Sequence, residues 1–222
     1  MKLTTAMTAT AIAIAMTTAS FAQKIKWEKG DDLAFLKGQT SVGTEFDYSK
    51  ITVKGEPEQS YVEASKTDLN ADKPGDGDAF AEEWTDARER KYKPQFAKGF
   101  NKSLAKDGIY VDSTGSAKYT MIITTGDMQL GKGKTFVSKP AKINVDFVIV
   151  ETANKGNVVA KGSIEEVEGE IEAPKGSRWI PGGVGTVMAV NANVQNRSYS
   201  NRIANAYYNT GLAIGKAIHK SL

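Results

Sequence analysis

Five carboxylates crowd one stretch late in the chain, at Glu165, Glu166, Glu168, Glu170 and Glu172. Carboxylates so grouped could serve a calcium ion, which takes several oxygen ligands, or act in pairs as the acid and base of a glycosidase. On an extended strand, positions 166, 168, 170 and 172 would share one face. The Asp/Asn/Gly spacing of a calcium loop is absent, and like charges along a strand also discourage edge-to-edge pairing. The expectation is therefore a solvated edge. Asp72, Asp76 and Asp78, interleaved with Gly75 and Gly77, come nearer to a calcium loop, but Lys73-Pro74 interrupts the pattern. No metal is expected at either place.

Residues 126–133 approach a phosphate-binding loop. Gly133 stands where that motif needs Ser or Thr after the Lys, and a β-like run ending at Pro140 follows where a helix is required. A flexible Gly/Lys loop between two strands is the expectation. Gly182-Gly183-Val184-Gly185 lacks dinucleotide spacing and a surrounding βαβ unit. With Trp179, Ile180 and Pro181 beside it, this segment could instead form a partner-binding loop. His219, the one histidine, sits near the C-terminus, where a helix dipole favours it. A Ser-His-Asp hydrolase would need it in a cleft. The chain has no cysteine, which removes disulfides, thiol catalysis and thiolate metal sites. No catalytic, cofactor-binding or metal-binding set emerges. Partner contact is assigned to Trp179, Ile180, Gly182, Gly183, Gly185 and Tyr208. Tyr207 and Tyr208 cannot both face inward from one helix, and Tyr208 is taken as the exposed one.

The elements that must position these residues follow from periodicity. Val42, Thr44, Phe46 and Tyr48 alternate within a strand over 40–53. A short helix is expected over 58–69, then a loop over 70–78. Asp78 can cap a helix to about Lys91, with Phe80, Trp84 and Ala87 on one face. Pro94 suits the first turn of another helix, carrying Phe96, Phe100 and Leu104. Strands are read over 109–112, 117–125, 141–152 and 158–167, the last two joined by a turn at 153–157. Residues 169–190 are irregular. Ser198 or Ser200 then caps a helix to about Lys220, striped with Ile203, Tyr207, Thr210, Ile214 and Ile218. Ala206, Gly211 and Gly215 leave part of that helix shallow enough for close approach.

The fold class is α+β: an antiparallel or mixed sheet of about four to five strands with helices packed on one face, in the order β-α-α-β-β-β-β-α. Lys2, the apolar run over 11–16 and the small residues of Ser20-Phe21-Ala22 have the layout of a secretory signal peptide over 1–22, leaving one domain over 23–222. Removing the leader takes away a single charge, Lys2, and leaves a net charge of +2. That balance argues against nucleic acid. Export without cysteine fits a periplasmic or secreted protein with no lipid anchor.

Several segments carry a resemblance: Phe35-Leu36-Lys37-Gly38-Gln39, Phe46-Asp47-Tyr48, Pro140-Ala141-Lys142-Ile143, Val150-Glu151-Thr152-Ala153-Asn154, and Arg202-Ile203-Ala204-Asn205-Ala206-Tyr207 with Gly211 and Gly215-Lys216. In these the chain resembles uncharacterised exported proteins of Bacteroides and relatives. Its element order is also similar to envelope modules such as the periplasmic part of the curli-secretion lipoprotein and the N-terminal domain of the Tol-system translocation protein. The resemblance implies an exported, non-catalytic envelope protein that binds a protein partner or ligand, with an envelope protein or a second copy as partner and no cofactor. The alternatives are a periplasmic hydrolase using paired carboxylates and a small-ligand carrier.

Overall fold

Strand β6 (Tyr119–Gln129) is the middle of the sheet, and its alternation explains why. Tyr119, Met121, Ile123 and Thr125 are buried on one face. In the computed structural model, which describes residues 24–112, 114–133, 138–169 and 198–222, β2 (Ser41–Asp47) runs parallel to β6 from Gly43↔Thr120 to Asp47↔Thr124. The short β3 (Thr52–Val53) continues along the same edge, and β4 (Glu56–Pro57) folds back on β3. On the other side β9 (Lys142–Glu151) and β10 (Asn154–Glu168) form an antiparallel hairpin. Edge strands β1 (Lys26–Lys29), against β10, and β5 (Tyr110–Asp112), parallel to β2, complete eight strands among the described residues. Strands β7 (Lys132–Gly133) and β8 (Ser138–Lys139) form a separate ladder.

The sheet is thus mixed and the class α+β, as the periodicity indicated, with more strands than the four to five expected. The extra ones are too short to show a pattern: β1 reads Lys-Trp-Glu-Lys. It is held because Gly162 on β10 leaves room beneath it, and the Trp27 ring meets Phe147 edge-on at 5.5 Å.

Between β4 and β5 the chain forms α1 (Glu58–Asp72), α2 (Asp76–Ala87), a π-helical turn (Arg88–Tyr92) and α3 (Lys93–Leu104). The expected loop over 70–78 shrinks to three residues. Asn70 Oδ1 accepts the Gly75 and Gly77 backbone N–H groups at 3.0 and 2.9 Å, satisfying donors at the start of α2. Gly75, at φ 94°, takes the cap position assigned to Asp78. Asp78 lies in the first turn, 2.9 Å from Lys66, and Asp76 pairs with Lys73.

The C-terminal helix α4 (Tyr199–Ser221) buries its predicted stripe: Ile203, Tyr207, Thr210, Ile214 and Ile218 are all fully enclosed. It packs on β9 and β10 and, above all, on α3. The two helices run parallel, Phe96 facing Gly211, Ser103 facing Gly215 and Asp107 facing His219. A methyl group added at Gly99 would overlap the Tyr208 carbonyl oxygen, and one at Gly211 the Phe96 carbonyl oxygen. The backbones therefore touch, and Ser103 Oγ donates to the Leu212 carbonyl at 3.1 Å. The shallow surface expected at Gly211 and Gly215 is where α3 enters.

Two predictions follow from this packing. Gly99→Ala should lower stability by about 3 kcal/mol, because the neighbouring atom is backbone and cannot move aside; urea unfolding measures it. The buried Tyr207 hydroxyl bonds Thr125 Oγ1 at 2.6 Å. Thr125→Val should cost about 1–3 kcal/mol by leaving that hydroxyl unpaired, and adding Tyr207→Phe should restore part of the loss.

Candidate functional site

The π turn is the point where the helical layer concentrates polar side chains. Lys91 Nζ donates to Ser200 Oγ at 2.7 Å and lies 3.1 Å from Glu83 Oε1. Ser200 Oγ donates to the same Glu83 oxygen at 2.7 Å and lies 2.7 Å from Ser198 Oγ. A hydroxyl has one proton and two lone pairs. Ser200 spends its proton on the carboxylate and accepts from Lys91 and Ser198. The bond from Ser200 is the main reason the Glu83 carboxyl is held below its ordinary value, with Lys91 adding to it against the opposing effect of burial.

Beside this cluster lies a shallow cleft of about 340 Å³, lined by Ala79, Glu82, Glu83, Asp86, Ala87, Arg90 and Lys91. Its chemistry is constrained. Ser200 is fully buried, so no substrate reaches its oxygen. The Lys91 ammonium is ion-paired and acts as a donor, where a Ser-Lys nucleophile needs a neutral amine. A glycosidase acid needs a raised pKa, whereas Glu83 is lowered and Asp86 is paired with Arg90 at 2.9 Å. The cluster is built to fasten the first turn of α4 to α2.

A second polar knot ties α1 to the π turn. Glu58 Oε1 accepts from Trp84 Nε1 at 2.6 Å and from Arg88 Nη2 at 2.5 Å, and the Arg88 guanidinium lies 4.8 Å from the Tyr48 ring centre. Behind it, Tyr92 stacks on Tyr207 at 5.0 Å, and Phe46 meets Phe96 and Tyr207 at 5.5 and 6.2 Å. These aromatics fill the space between helices and sheet. Burial holds the Tyr48, Tyr92 and Tyr207 hydroxyls well above their ordinary range, so they stay neutral.

Of the residues assigned to partner contact, Trp179, Ile180, Gly182, Gly183 and Gly185 lie outside the described residues. Tyr208 is half-buried on the outer side of α4 and its hydroxyl accepts from Lys102 Nζ at 3.0 Å. Tyr207, by contrast, is core, and Trp27 packs on Phe147. Of the carboxylate run, Glu170 and Glu172 lie outside the described residues. Glu166, in a bulge at φ +50°, and Glu168 both reach Lys142, whereas Glu165 pairs with Lys26. Residues 126–129 extend β6 and form no loop. Asp127 there accepts from Thr52 Oγ1 and the Gly55 N–H at 2.9 and 2.8 Å. Among the described residues no carboxylate, histidine or cysteine group is arranged to hold a metal ion. His219 caps the helix layer, its Nδ1 2.8 Å from Asp107 Oδ2.

Lysines recur on the two helices that meet at Tyr208. Lys98 and Lys102 on α3 and Lys106 in the turn after it follow one another at four-residue spacing, and Lys216 and Lys220 do the same along α4. All five are exposed and, among the described residues, none makes an ion pair. Residues 93–106 and 198–222 contain no Asp or Glu. The sequence reading passed over this face, although the absence of carboxylates from two whole helices was there to be seen. Comparison with family models, with curated proteins and with solved structures finds no match to this chain. No helix among the described residues is long and apolar enough to cross a membrane.

The Glu83 cluster makes a pH prediction. Its native carboxyl titrates below the ordinary 4.5, so its contribution is complete above that value and disappears as pH falls through the lower native pKa. Glu83→Gln should start less stable at neutral pH and lose less than the wild type between about pH 5 and 3, read as melting temperature against pH.

Proposed function

We propose that the protein is an exported, non-catalytic binding module of a bacterial envelope. It acts in the periplasm or outside the cell after cleavage following Ala22, and its contact surface is the outer side of α3 and α4. The observation that carries the reading is the pair of helices that meet at Tyr208: Lys102 touches its hydroxyl, and Lys98, Lys102, Lys106, Lys216 and Lys220 are exposed without an ion pair among the described residues. Unpaired like charges on one face repel one another and attract an anionic counterpart. A tyrosine at the centre supplies an anchor of the kind enriched in binding interfaces. The leader layout of residues 1–22 supports export. Burial of Ser200 and the pairing of Glu83, Asp86 and Lys91 weigh against catalysis at the cleft.

The test is a photo-crosslinking amino acid placed at Tyr208 in the full chain, expressed in an envelope-bearing host of its own kind. A control carries it at Lys50, an exposed residue beyond the end of β2. A single adduct of defined mass at position 208, absent at position 50, is the expected result. Equal or no adducts at the two positions would sink the reading.

A further inference from the structure

The helical layer is divided by charge. Residues 58–87, spanning α1 and α2, hold nine carboxylates and two lysines, a net charge of −7. Residues 93–106 and 198–222, which contain α3 and α4, hold no carboxylate; Lys93 pairs with Glu89, and Lys98, Lys102, Lys106, Lys216 and Lys220 are exposed without an ion pair among the described residues. The acidic side is as accessible as the basic one. Helix α1 buries none of its residues, and Glu63, Asp68, Asp72 and Glu82 are exposed without an ion pair among the described residues.

We propose that the basic α3/α4 face takes the acidic α1–α2 hairpin of a second copy of this chain, joining molecules head to tail. This rests on the reading above, that the Tyr208 face is a contact surface, and names its occupant. Charge complementarity selects that occupant. A lipid headgroup surface or an anionic polymer would answer the basic face alone and would repel the hairpin. A second copy answers both, since exposed lysines on one face meet exposed carboxylates on the other, neither set ion-paired among the described residues. The contact uses different surfaces on the two molecules, so it leaves one face of each kind free and propagates unless a rotation closes it.

Sedimentation velocity on the purified mature chain tests this. Wild type should associate with rising concentration in about 20 mM salt and return to monomer in about 500 mM, as screening shortens from tens of ångströms to a few. A basic-face variant (Lys98→Glu, Lys102→Glu, Lys106→Glu) and an acidic-face variant (Glu63→Lys, Asp68→Lys, Asp72→Lys) should each stay monomeric at low salt with wild-type circular dichroism. Mixed in equal amounts, they should associate again, since each now offers what the other needs. That recovery cannot come from misfolding. Monomeric wild type at low salt, or a mixture that stays monomeric, overturns the proposal. Monomeric wild type that instead binds phosphatidylglycerol vesicles, but not neutral phosphatidylcholine ones, overturns it in favour of lipid headgroups. A Tyr208 adduct with a different protein would overturn the second copy as occupant while keeping the surface. No adduct at Tyr208 would remove both.

Discussion

The structure depends on a contact without side chains. Gly99 on α3 and Gly211 on α4 let the two helix backbones meet, and Gly215 lets the next turn close over Ser103. Helices usually pack with axes held about 8–10 Å apart by their side chains. Removing those side chains at the crossing draws α4 in against α3, and both can then lie on the central strands. That depth brings the Tyr207 hydroxyl to Thr125 on β6 and its ring to Tyr92 and Phe46. Each of these contacts requires α4 to sit that close, and none would compensate for a residue larger than glycine at the crossing.

The same contact sets the electrostatics. Because α3 and α4 run parallel, their C-terminal ends lie together, and two partial negative charges accumulate there. Lys102 on α3 and Lys106 just beyond its end, with Lys216 and Lys220 on α4, oppose that accumulation. The excess of lysine thus has a structural cause as well as a consequence: the dipoles account for cations near the helix ends. They do not account for Lys98, which lies in the middle of α3, nor for the complete absence of carboxylates from both helices. At the opposite end α4 starts on Ser200, Glu83 and Lys91, so its N-terminus is tied to the acidic helix pair and its C-terminus to the basic face. The π turn between α2 and α3 directs Arg88 inward to Glu58 and Lys91 to Ser200, one cation toward each knot. Such single-turn insertions recur where a helix must aim side chains that a regular spacing would misdirect.

What the sequence discloses follows from how far each signal reaches along the chain. The strands at β2, β6, β9 and β10 and the stripes of α2, α3 and α4 are long enough for periodicity to declare them, and the stripes of α3 and α4 are buried as expected. Strand β1 has four residues and one apolar side chain, and exists because Gly162 lies opposite Trp27, 135 positions away. The turn over 73–75 looked like a longer loop because Asn, Asp, Pro and Gly all favour turns, yet here the Asn70 side chain does the work of several loop residues. The bulge at Glu166 is likewise a property of the pairing with β9, where Asn144 Oδ1 takes the Glu166 N–H at 2.9 Å. Clusters such as Glu83–Lys91–Ser200 join residues more than a hundred positions apart, and spacing carries no trace of them.

Net charge is the quantity that misleads most here. A net charge of +3 measures only the total basic excess, the quantity with which binding of a polyanion around a whole molecule scales. It is silent on arrangement, and a sum near zero is equally consistent with charges mixed everywhere and with two opposed faces. The difference has physical weight. Mixed charges neutralise one another locally within a screening length of roughly 8 Å, and the pairs along β1, β10 and β9 are of that kind: Lys26 with Glu165, Lys161 with Glu28, Lys142 with Glu166. The helices are different. There Lys98, Lys102, Lys106, Lys216 and Lys220 make no ion pair among the described residues, and neither do Glu63, Asp68, Asp72 and Glu82. Each face keeps a field beyond the molecule's own surface, and a field of that kind acts on whatever approaches before any contact forms. On the sheet Lys26, Lys142 and Lys161 are matched one by one, whereas Lys98, Lys102, Lys106, Lys216 and Lys220 in the helical layer are not matched among the described residues.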